Sequence, residues 1–247
     1  MNVEYESLIK DKKIALVGPA AYMMGSKLGK EIDCFDLVVR INRSYEVTED
    51  FRHDIGSRTD ILYSCMIEKS ENAGKVNLNT LKKLDLKYLC IPPASNMKGL
   101  ANTASLHEMI NKSNFEQIRE KIPTRIVDHF FHNDLAKNID CRPNTGFMAI
   151  YDILRFNPDA LKIYGFSFYL DGFMEGVKEG VQQEVGKTPN ELAQKCFKST
   201  RHVQKNMWIH AKNTLLNNEK VSLDRVLKYI LNMTTFDKDN FKTPEYV

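Results

Sequence analysis

The sequence predicts an α/β fold in which a mostly parallel central sheet is flanked by helices. Three observations predict it. Short apolar runs rich in valine, isoleucine and leucine alternate with segments of helical periodicity. Hairpin signals between those runs are few, so successive strands need crossovers rather than tight turns. The first run ends in a glycine turn, Gly18-Pro19-Ala20-Ala21, and helix-compatible sequence follows it.

Residues 13–18 read as a short buried strand, because Ile14, Ala15, Leu16 and Val17 are contiguous and apolar. A helix is expected over 25–32. Residues 36–42 and 59–64 give the next two strands, and 87–91 another, stopped by Pro92-Pro93. A polar helix is expected within 102–121, a short strand over 124–128, a mostly buried helix over 145–156 and a strand over 161–164. From Thr188 onward the pattern turns helical: Thr188-Pro189-Asn190-Glu191 is a capping box with proline at the first helical position. A further helix start is expected near Ser199 or Thr200, since Val203, Met207, Ala211 and Leu215 follow at four-residue spacing. No linker stands out, so residues 1–247 read as one domain, with a core over 12–218 and a loose polar tail over 237–247.

Composition excludes more than it identifies. The chain has 247 residues, 43% apolar and 27% charged, enough to bury a sizeable core without staples. Thirty-five lysines and arginines against 32 acids give a net charge of +3, spread along the chain, which argues against a dedicated nucleic-acid or membrane-surface protein. The five cysteines, at 34, 65, 90, 141 and 196, are odd in number and contain no CxxC pair, so neither a disulfide framework nor a zinc knuckle is expected. The first residues carry no signal-peptide pattern and the longest uncharged run, 14–26, is too short to span a bilayer. The expected setting is a reducing, cytoplasmic one without a transmembrane segment.

In open parallel sheets ligands bind outside the carboxyl ends of the strands. The residues expected there are Gly18-Pro19-Ala20-Ala21, Arg40-Ile41-Asn42, Ser64-Cys65 and Gly165-Phe166-Ser167-Phe168-Tyr169. The first turn is neither GxGxxG nor GxxxxGK[ST], which disfavours a dinucleotide site or a P-loop. It is open either to holding a phosphate through backbone N–H groups or to being a plain strand-to-helix turn. Asn42 follows Val38 and Arg40 on one strand face and offers one donor and one acceptor group to a base or sugar edge, or serves as turn chemistry. Cys141-Arg142-Pro143-Asn144-Thr145-Gly146 precedes an apolar helix and makes either an anion site or a simple N-cap. His129 and His132 share a helical face but lack an evident third metal ligand, and Asp237-Lys238-Asp239 lies in the polar tail, where a metal role is not expected. If Ser199 or Thr200 caps a helix, His202 falls in its first turn. The positive helix end then keeps the imidazole neutral, as a general base requires.

Several of these signals occur in an order that resembles a known family. The stretch from Val17-Gly18-Pro19 through Gly25-Ser26-Lys27-Leu28 to Phe35-Asp36-Leu37-Val38-Val39-Arg40-Ile41-Asn42-Arg43, closed by Asp54-Ile55-Gly56-Ser57-Arg58-Thr59, resembles the long sialyl motif of glycosyltransferase family 29. Pro143-Asn144-Thr145-Gly146 followed by Ile163-Tyr164-Gly165-Phe166 resembles the short sialyl motif. Gly165-Phe166-Ser167-Phe168-Tyr169 is similar to a stretch of bacterial family 42 sialyltransferases, and His202 sits where the very short motif places its histidine.

The resemblance implies a Rossmann-like domain of the GT-A-like variant and an inverting, metal-independent transferase that needs no cofactor. Its partners would be a CMP-linked sugar donor, carrying sialic acid or a related keto-sugar, and a glycan or glycolipid acceptor, with no nucleic acid. Carried over by position, Gly18, Ala20, Asn42, Ser64, Thr145, Gly146, Phe166 and Ser167 would bind the nucleotide. Tyr169 would donate to the departing phosphate, and His202 would take the acceptor proton. The chain departs from the pattern in three places. Pro19 stands where the family has asparagine, Met207 where a glutamate follows the histidine, and the motif-bridging cysteines of animal relatives have no counterparts. Two alternatives stay open: the same site could pass the sugar to water, as a hydrolase of CMP-sugars or cytidine nucleotides, and Pro19 and Met207 leave room for a nucleotide-sugar-binding protein without turnover.

Overall fold

A computed structural model describes residues 3–45, 49–65, 78–93, 95, 100–101, 112–175 and 187–244. Among them a seven-stranded sheet forms from β1 (Lys13–Val17), β2 (Leu37–Ile41), β3 (Ile61–Tyr63), β4 (Tyr88–Ile91), β5 (Thr124–Ile126), β6 (Ala160–Tyr164) and β7 (Val221–Leu223). Its order is β5-β4-β3-β2-β1-β6-β7, and every strand pair is parallel. The sheet is therefore wholly rather than mostly parallel, and each crossover must cover a face with helix. That is why β1 and β2 are apolar without alternation: residues Ile14–Val17 and Leu37–Ile41 are all buried.

The chain steps outward from β1 to β5 along one side, then returns to place β6 against the other flank of β1. The loops after β1 and β6 thus leave the sheet at its topological switch point, the place where open parallel sheets take their ligands.

Alternate residues of β3 and β4 feed two separate apolar clusters. Ile61, Tyr63, Tyr88 and Cys90 belong to the main core, whereas Leu62, Leu89 and Ile91 pack with Leu81, Ile118 and Ile122. The main core reaches beyond the expected 12–218 at both ends. Tyr5 and Ile9 of the helix Val3–Ile9, and Val226, Leu227, Ile230 and Leu231 of the helix Arg225–Asn232, are essentially unexposed. In the expected loose tail, Lys238 Nζ donates to the Leu170 carbonyl at 3.1 Å and also to that of Tyr169.

The strands fall where the apolar runs place them, and the helices Thr145–Leu154 and Pro189–Phe197 do too, the latter with both halves of its capping box formed. Other elements differ. The helix expected over 25–32 is a 3-10 turn, Ala21–Met23, and a short helix, Gly29–Asp33. Gly25 at φ +80° and Lys27 at φ +58° interrupt it, their N–H groups held by the Asp54 carboxylate at 2.8 and 2.9 Å. Of the polar helix, Lys112–Arg119 is formed, and 102–111 lies outside the described residues. The helix expected from Ser199 or Thr200 begins at Gln204 with Val203 as its N-cap. Strand β7 and the first and last helices carried no signal strong enough to be read.

One buried polar cluster ties the layers together. Asp152, unexposed on the helix Thr145–Leu154, accepts from Tyr63 Oη of β3 at 2.6 Å, from Arg155 Nε at 2.8 Å and from Arg125 Nη2 of β5. Tyr5 Oη meets Tyr63 Oη at 2.7 Å, and the Arg125 guanidinium lies 3.7 Å from the Tyr5 ring centre. Removing the charge of Asp152 leaves Arg125 buried and unpaired. Asp152→Asn is expected to cost about 3–5 kcal/mol, read as a lowered denaturant midpoint with an unchanged slope.

Candidate functional site

The loops at the switch point are locked together by two glycines. A Cβ on Gly18 would stand 2.4 Å from the Gly165 carbonyl oxygen, and one on Gly165 (φ +70°) would stand 2.4 Å from that of Gly18. The Phe166 ring wedges against Gly18 and against Gly146 at the start of the helix Thr145–Leu154, with ring carbons 2.9 and 2.7 Å from where their Cβ atoms would be. Three segments far apart in sequence are thereby drawn into one wall. Ala20 N–H donates to the Gly165 carbonyl at 3.1 Å, Ala21 N–H to Gly172 at 2.9 Å, and Tyr22 N–H to the Asp171 carboxylate at 2.6 Å.

These bonds bear on the phosphate reading of the first turn. Gly18 N–H is spent on the Tyr164 carbonyl at 2.8 Å, Pro19 has none, and those of Ala20 through Tyr22 are spent as above. The turn offers Gly18 and Ala20 as a close-fitting surface rather than as phosphate donors. Donors are open instead at the helix Thr145–Leu154. Asn144 caps it by accepting Phe147 N–H at 2.8 Å, which leaves the Thr145 and Gly146 N–H groups at the positive helix end without an intrahelical partner.

Asn42 directly follows β2 in a left-handed conformation (φ 50°), and its Oδ1 accepts Cys65 N–H at 3.1 Å, joining the loops after β2 and β3. Ser64 is only 2% exposed and its N–H bonds the Cys90 carbonyl at 3.0 Å, so half-buried Cys65 is the more open group of that loop. After β6, Ser167 is buried while Phe166, Phe168 and Tyr169 are half-buried. Phe168 (φ 51°) and Tyr169 (φ 58°) are consecutive left-handed residues, which a bulky side chain seldom tolerates unless its surroundings impose it. Burial, with Cys196 and Cys65 adding to it, pushes the Tyr169 phenol well above its ordinary value. It is an O–H donor at any working pH.

His202 is not in a helical first turn. It sits in a bend before the helix Gln204–Leu215, its N–H donating to Ser199 Oγ at 3.2 Å. Two bonds clip this bend to the segment before Thr145: Arg142 N–H to the Arg201 carbonyl at 3.0 Å, and His202 Nδ1 to the Arg142 carbonyl at 2.8 Å. A carbonyl only accepts, so Nδ1 carries the proton and Nε2 keeps a free lone pair. Burial pushes the imidazole down to about 4, the carbonyl bond opposes this, and the charges of Arg142 and Arg201 add to it. The neutral state expected from the helix end is therefore present for a different reason.

Sequence reasoning placed Ser64-Cys65 at the strand ends but missed the roles of Arg142 and Asp224. Arg142 lay inside a quoted motif but its backbone clip to His202 had no sequence signal. Asp224 is 4% exposed and caps the helix Arg225–Asn232 through Leu227 N–H at 2.8 Å. Its other oxygen accepts Tyr22 Oη at 2.7 Å and Gly165 N–H at 2.8 Å, bracing the wall from behind.

No group of three or more His, Cys, Asp or Glu among the described residues is arranged to hold a metal ion. His132 is 1% exposed and His129 has Phe130 against it, while Asp237 serves a local turn, accepting Asp239 N–H at 2.9 Å. No described helix is long and apolar enough to cross a membrane.

The imidazoles of buried His132 and half-buried His202 are held at about 4 against an ordinary 6.5 by desolvation. Below pH 6.5 the unfolded chain takes up protons that the fold refuses. Stability is full above that value and falls as pH drops towards 4. Urea titrations between these limits should show a falling midpoint, and in His132→Gln the fall should be shallower.

The profile of glycosyltransferase family 29 (sialyltransferase) matches residues 9–173, more than half of the chain. Comparison with curated proteins finds no match. Among solved structures the chain is similar to a mammalian sialyltransferase, at 18% identity and a TM-score of 0.55, covering 88% of this chain and 70% of that one. It is also similar to a point variant of the sialyltransferase CST-II in complex with CMP, at 13% identity and a TM-score of 0.54, covering 94% and 90% of the two chains. CST-II is a Campylobacter jejuni protein.

Proposed function

The chain belongs to glycosyltransferase family 29, the sialyltransferases, and from that premise we propose that it moves sialic acid or a related keto-sugar from a CMP-linked donor to a hydroxyl of a glycan or glycolipid. The observation that carries the reading is the tautomer of His202. Its Nδ1 proton is committed to the Arg142 carbonyl, so Nε2 is a base that stays unprotonated down to about pH 4.

In this reading Nε2 takes the acceptor proton as the hydroxyl oxygen attacks the anomeric carbon. The bond from that carbon to the phosphate oxygen breaks, and CMP leaves with the electron pair. Attack opposite the leaving group inverts the centre. The charge gathering on CMP is met by the Tyr169 hydroxyl and by the open N–H groups of Thr145 and Gly146, rather than by a metal ion or cofactor. In this reading Asn42 would contact the nucleoside, with Cys65 beside it. Ser64, Phe166, Ser167, Gly18 and Ala20 would shape that surface.

A thermal-shift comparison of CMP, UMP, GDP and NAD tests the donor, since a ligand that binds only the fold raises its melting point. CMP is expected to stand apart. Product analysis with and without acceptor separates transfer from hydrolysis, and CMP binding without either product would mark a binding protein.

Two variants test the roles. His202→Ala is expected to lower kcat about 10²–10⁴-fold with CMP binding retained, and unimpaired transfer would remove the base. Tyr169→Phe is expected to lower kcat about 10²-fold. In the wild type kcat/KM should hold as pH falls through 6 and decline only towards pH 4. An acid limb centred at 6.5 would contradict a desolvated base.

A further inference from the structure

We infer that Lys238 is a positioning residue for Tyr169, clamping the turn on which the phenol is mounted. The inference deepens the proposed transfer reading and rests on the role that reading gives Tyr169.

After β6 the chain reverses through Ser167-Phe168-Tyr169-Leu170, closed by Leu170 N–H on the Ser167 carbonyl at 2.9 Å. Both central residues are left-handed, Phe168 at φ 51° and Tyr169 at φ 58°. Positive φ at both central positions is what a type I′ turn requires, and Asn-Gly meets it readily where two aromatic residues do not. The turn's own sequence therefore does not select its shape, and contacts from outside must hold it.

The segment after the helix Arg225–Asn232 supplies those contacts. Lys238 Nζ donates to the Leu170 carbonyl at 3.1 Å and to the Tyr169 carbonyl as well. These carbonyls lie on the exit side of the turn, and one ammonium with three N–H donors fixes both. What it grips is backbone. Phe236 meets the Phe168 ring edge-to-face with centroids 6.3 Å apart, and is itself stacked on Phe197 at 5.6 Å and packed on Trp208 at 5.4 Å. Asp237 accepts Asp239 N–H at 2.9 Å, a local turn that sets the backbone around Lys238.

The Tyr169 ring is packed by a different part of the chain. It meets Phe173 edge-to-face at 5.4 Å, in a cluster with Leu192, Ala193 and Cys196. Removing the ammonium frees the two carbonyls and leaves that packing in place, so the turn relaxes and the hydroxyl shifts. A misplacement of about 1 Å at a reacting group is enough to cost about 10²-fold in rate.

Lys238→Met keeps the reach of the side chain and removes its donors, and Lys238→Arg restores them. Turnover of CMP-sialic acid is read as CMP release, which reports the same broken bond whether the sugar passes to an acceptor or to water. Lys238→Met is expected to lower kcat about tenfold and to move KM for CMP-sialic acid by less than about twofold. Lys238→Arg is expected to keep most of the wild-type kcat. In the Tyr169→Phe background Lys238→Met is expected to cost nothing further, since the hydroxyl it positions is gone. An unchanged kcat in Lys238→Met overturns the inference. So does a further loss of about tenfold on top of Tyr169→Phe, which marks a general weakening of the fold. If the wild type turns over no CMP-linked sugar, the transfer reading fails on its own, and calorimetry with CMP and with cytidine decides for the clamp. Weaker CMP binding in Lys238→Met, with cytidine binding unchanged and the difference lost in the Tyr169→Phe background, upholds it. CMP binding equal to that of the wild type overturns it.

Discussion

Two glycine backbones in contact, Gly18 after β1 and Gly165 after β6, hold the site together. Each would drive a Cβ to 2.4 Å from the other's carbonyl oxygen, so no side chain fits at either position without separating the loops. The contact lies where the chain reverses its direction of travel across the sheet, the point at which two neighbouring loops part and leave room for a ligand. Phe166 then fills the angle between Gly18 and Gly146, so the helix Thr145–Leu154 presents its open N–H groups beside the same contact. Asp224 fixes the arrangement from behind by accepting from both Tyr22 and Gly165. Burial raises the Asp224 carboxyl pKa, and its hydrogen bonds oppose that rise. A carboxyl in so dry a place is tolerated because both of its oxygens are bonded.

The long stretch that resembles a sialyl motif is, in the structure, mostly a device for holding Asn42. Arg40 is unexposed and spends its guanidinium on the loop that closes the motif: Nε on the Arg58 carbonyl at 2.9 Å, Nη2 on the Ile55 and Gly56 carbonyls at 2.7 and 2.9 Å. Asp33 accepts the Ser57 and Arg58 N–H groups, and Asp60 accepts Val38 N–H at 2.8 Å while pairing with Arg58. A motif so dense in charge reads on paper as a binding surface. The charges of Asp33, Arg40, Arg58 and Asp60 are consumed internally, and Asn42 follows at the end of β2.

The sheet was legible because parallel strands buried on both faces must be apolar throughout, and short apolar runs are what a sequence displays most openly. The start of the final helices was less so. Val203, Met207, Ala211 and Leu215 keep the four-residue spacing, but Val203 is the cap and only the last three lie in the helix. The spacing of apolar residues cannot tell a cap from a first turn. Strand β7 is three residues long and half-exposed, too short for periodicity to show. Within the site, the loops at the strand ends could be placed from the order of strands alone. The spending of the first turn's N–H groups, the Arg142 clip and the brace from Asp224 are bonds across more than fifty residues, and no local pattern encodes them.

The way in which His202 is kept neutral bears on what the site can do. A helix end would have lowered the pKa modestly through a field that solvent and salt screen within a turn. Burial acts on the charged form itself and does not fade with ionic strength. It also carries a cost. An imidazole that refuses its own proton at pH 6 is a weaker base than one poised near neutrality, so the proton it takes must be made easier to remove. The Arg142 carbonyl on Nδ1 opposes the lowering, and the charges of Arg142 and Arg201 add to it more weakly than burial does. In the transfer reading the hydroxyl proton becomes easier to remove as its oxygen bonds to the anomeric carbon, so a weak base suffices once that bond is forming.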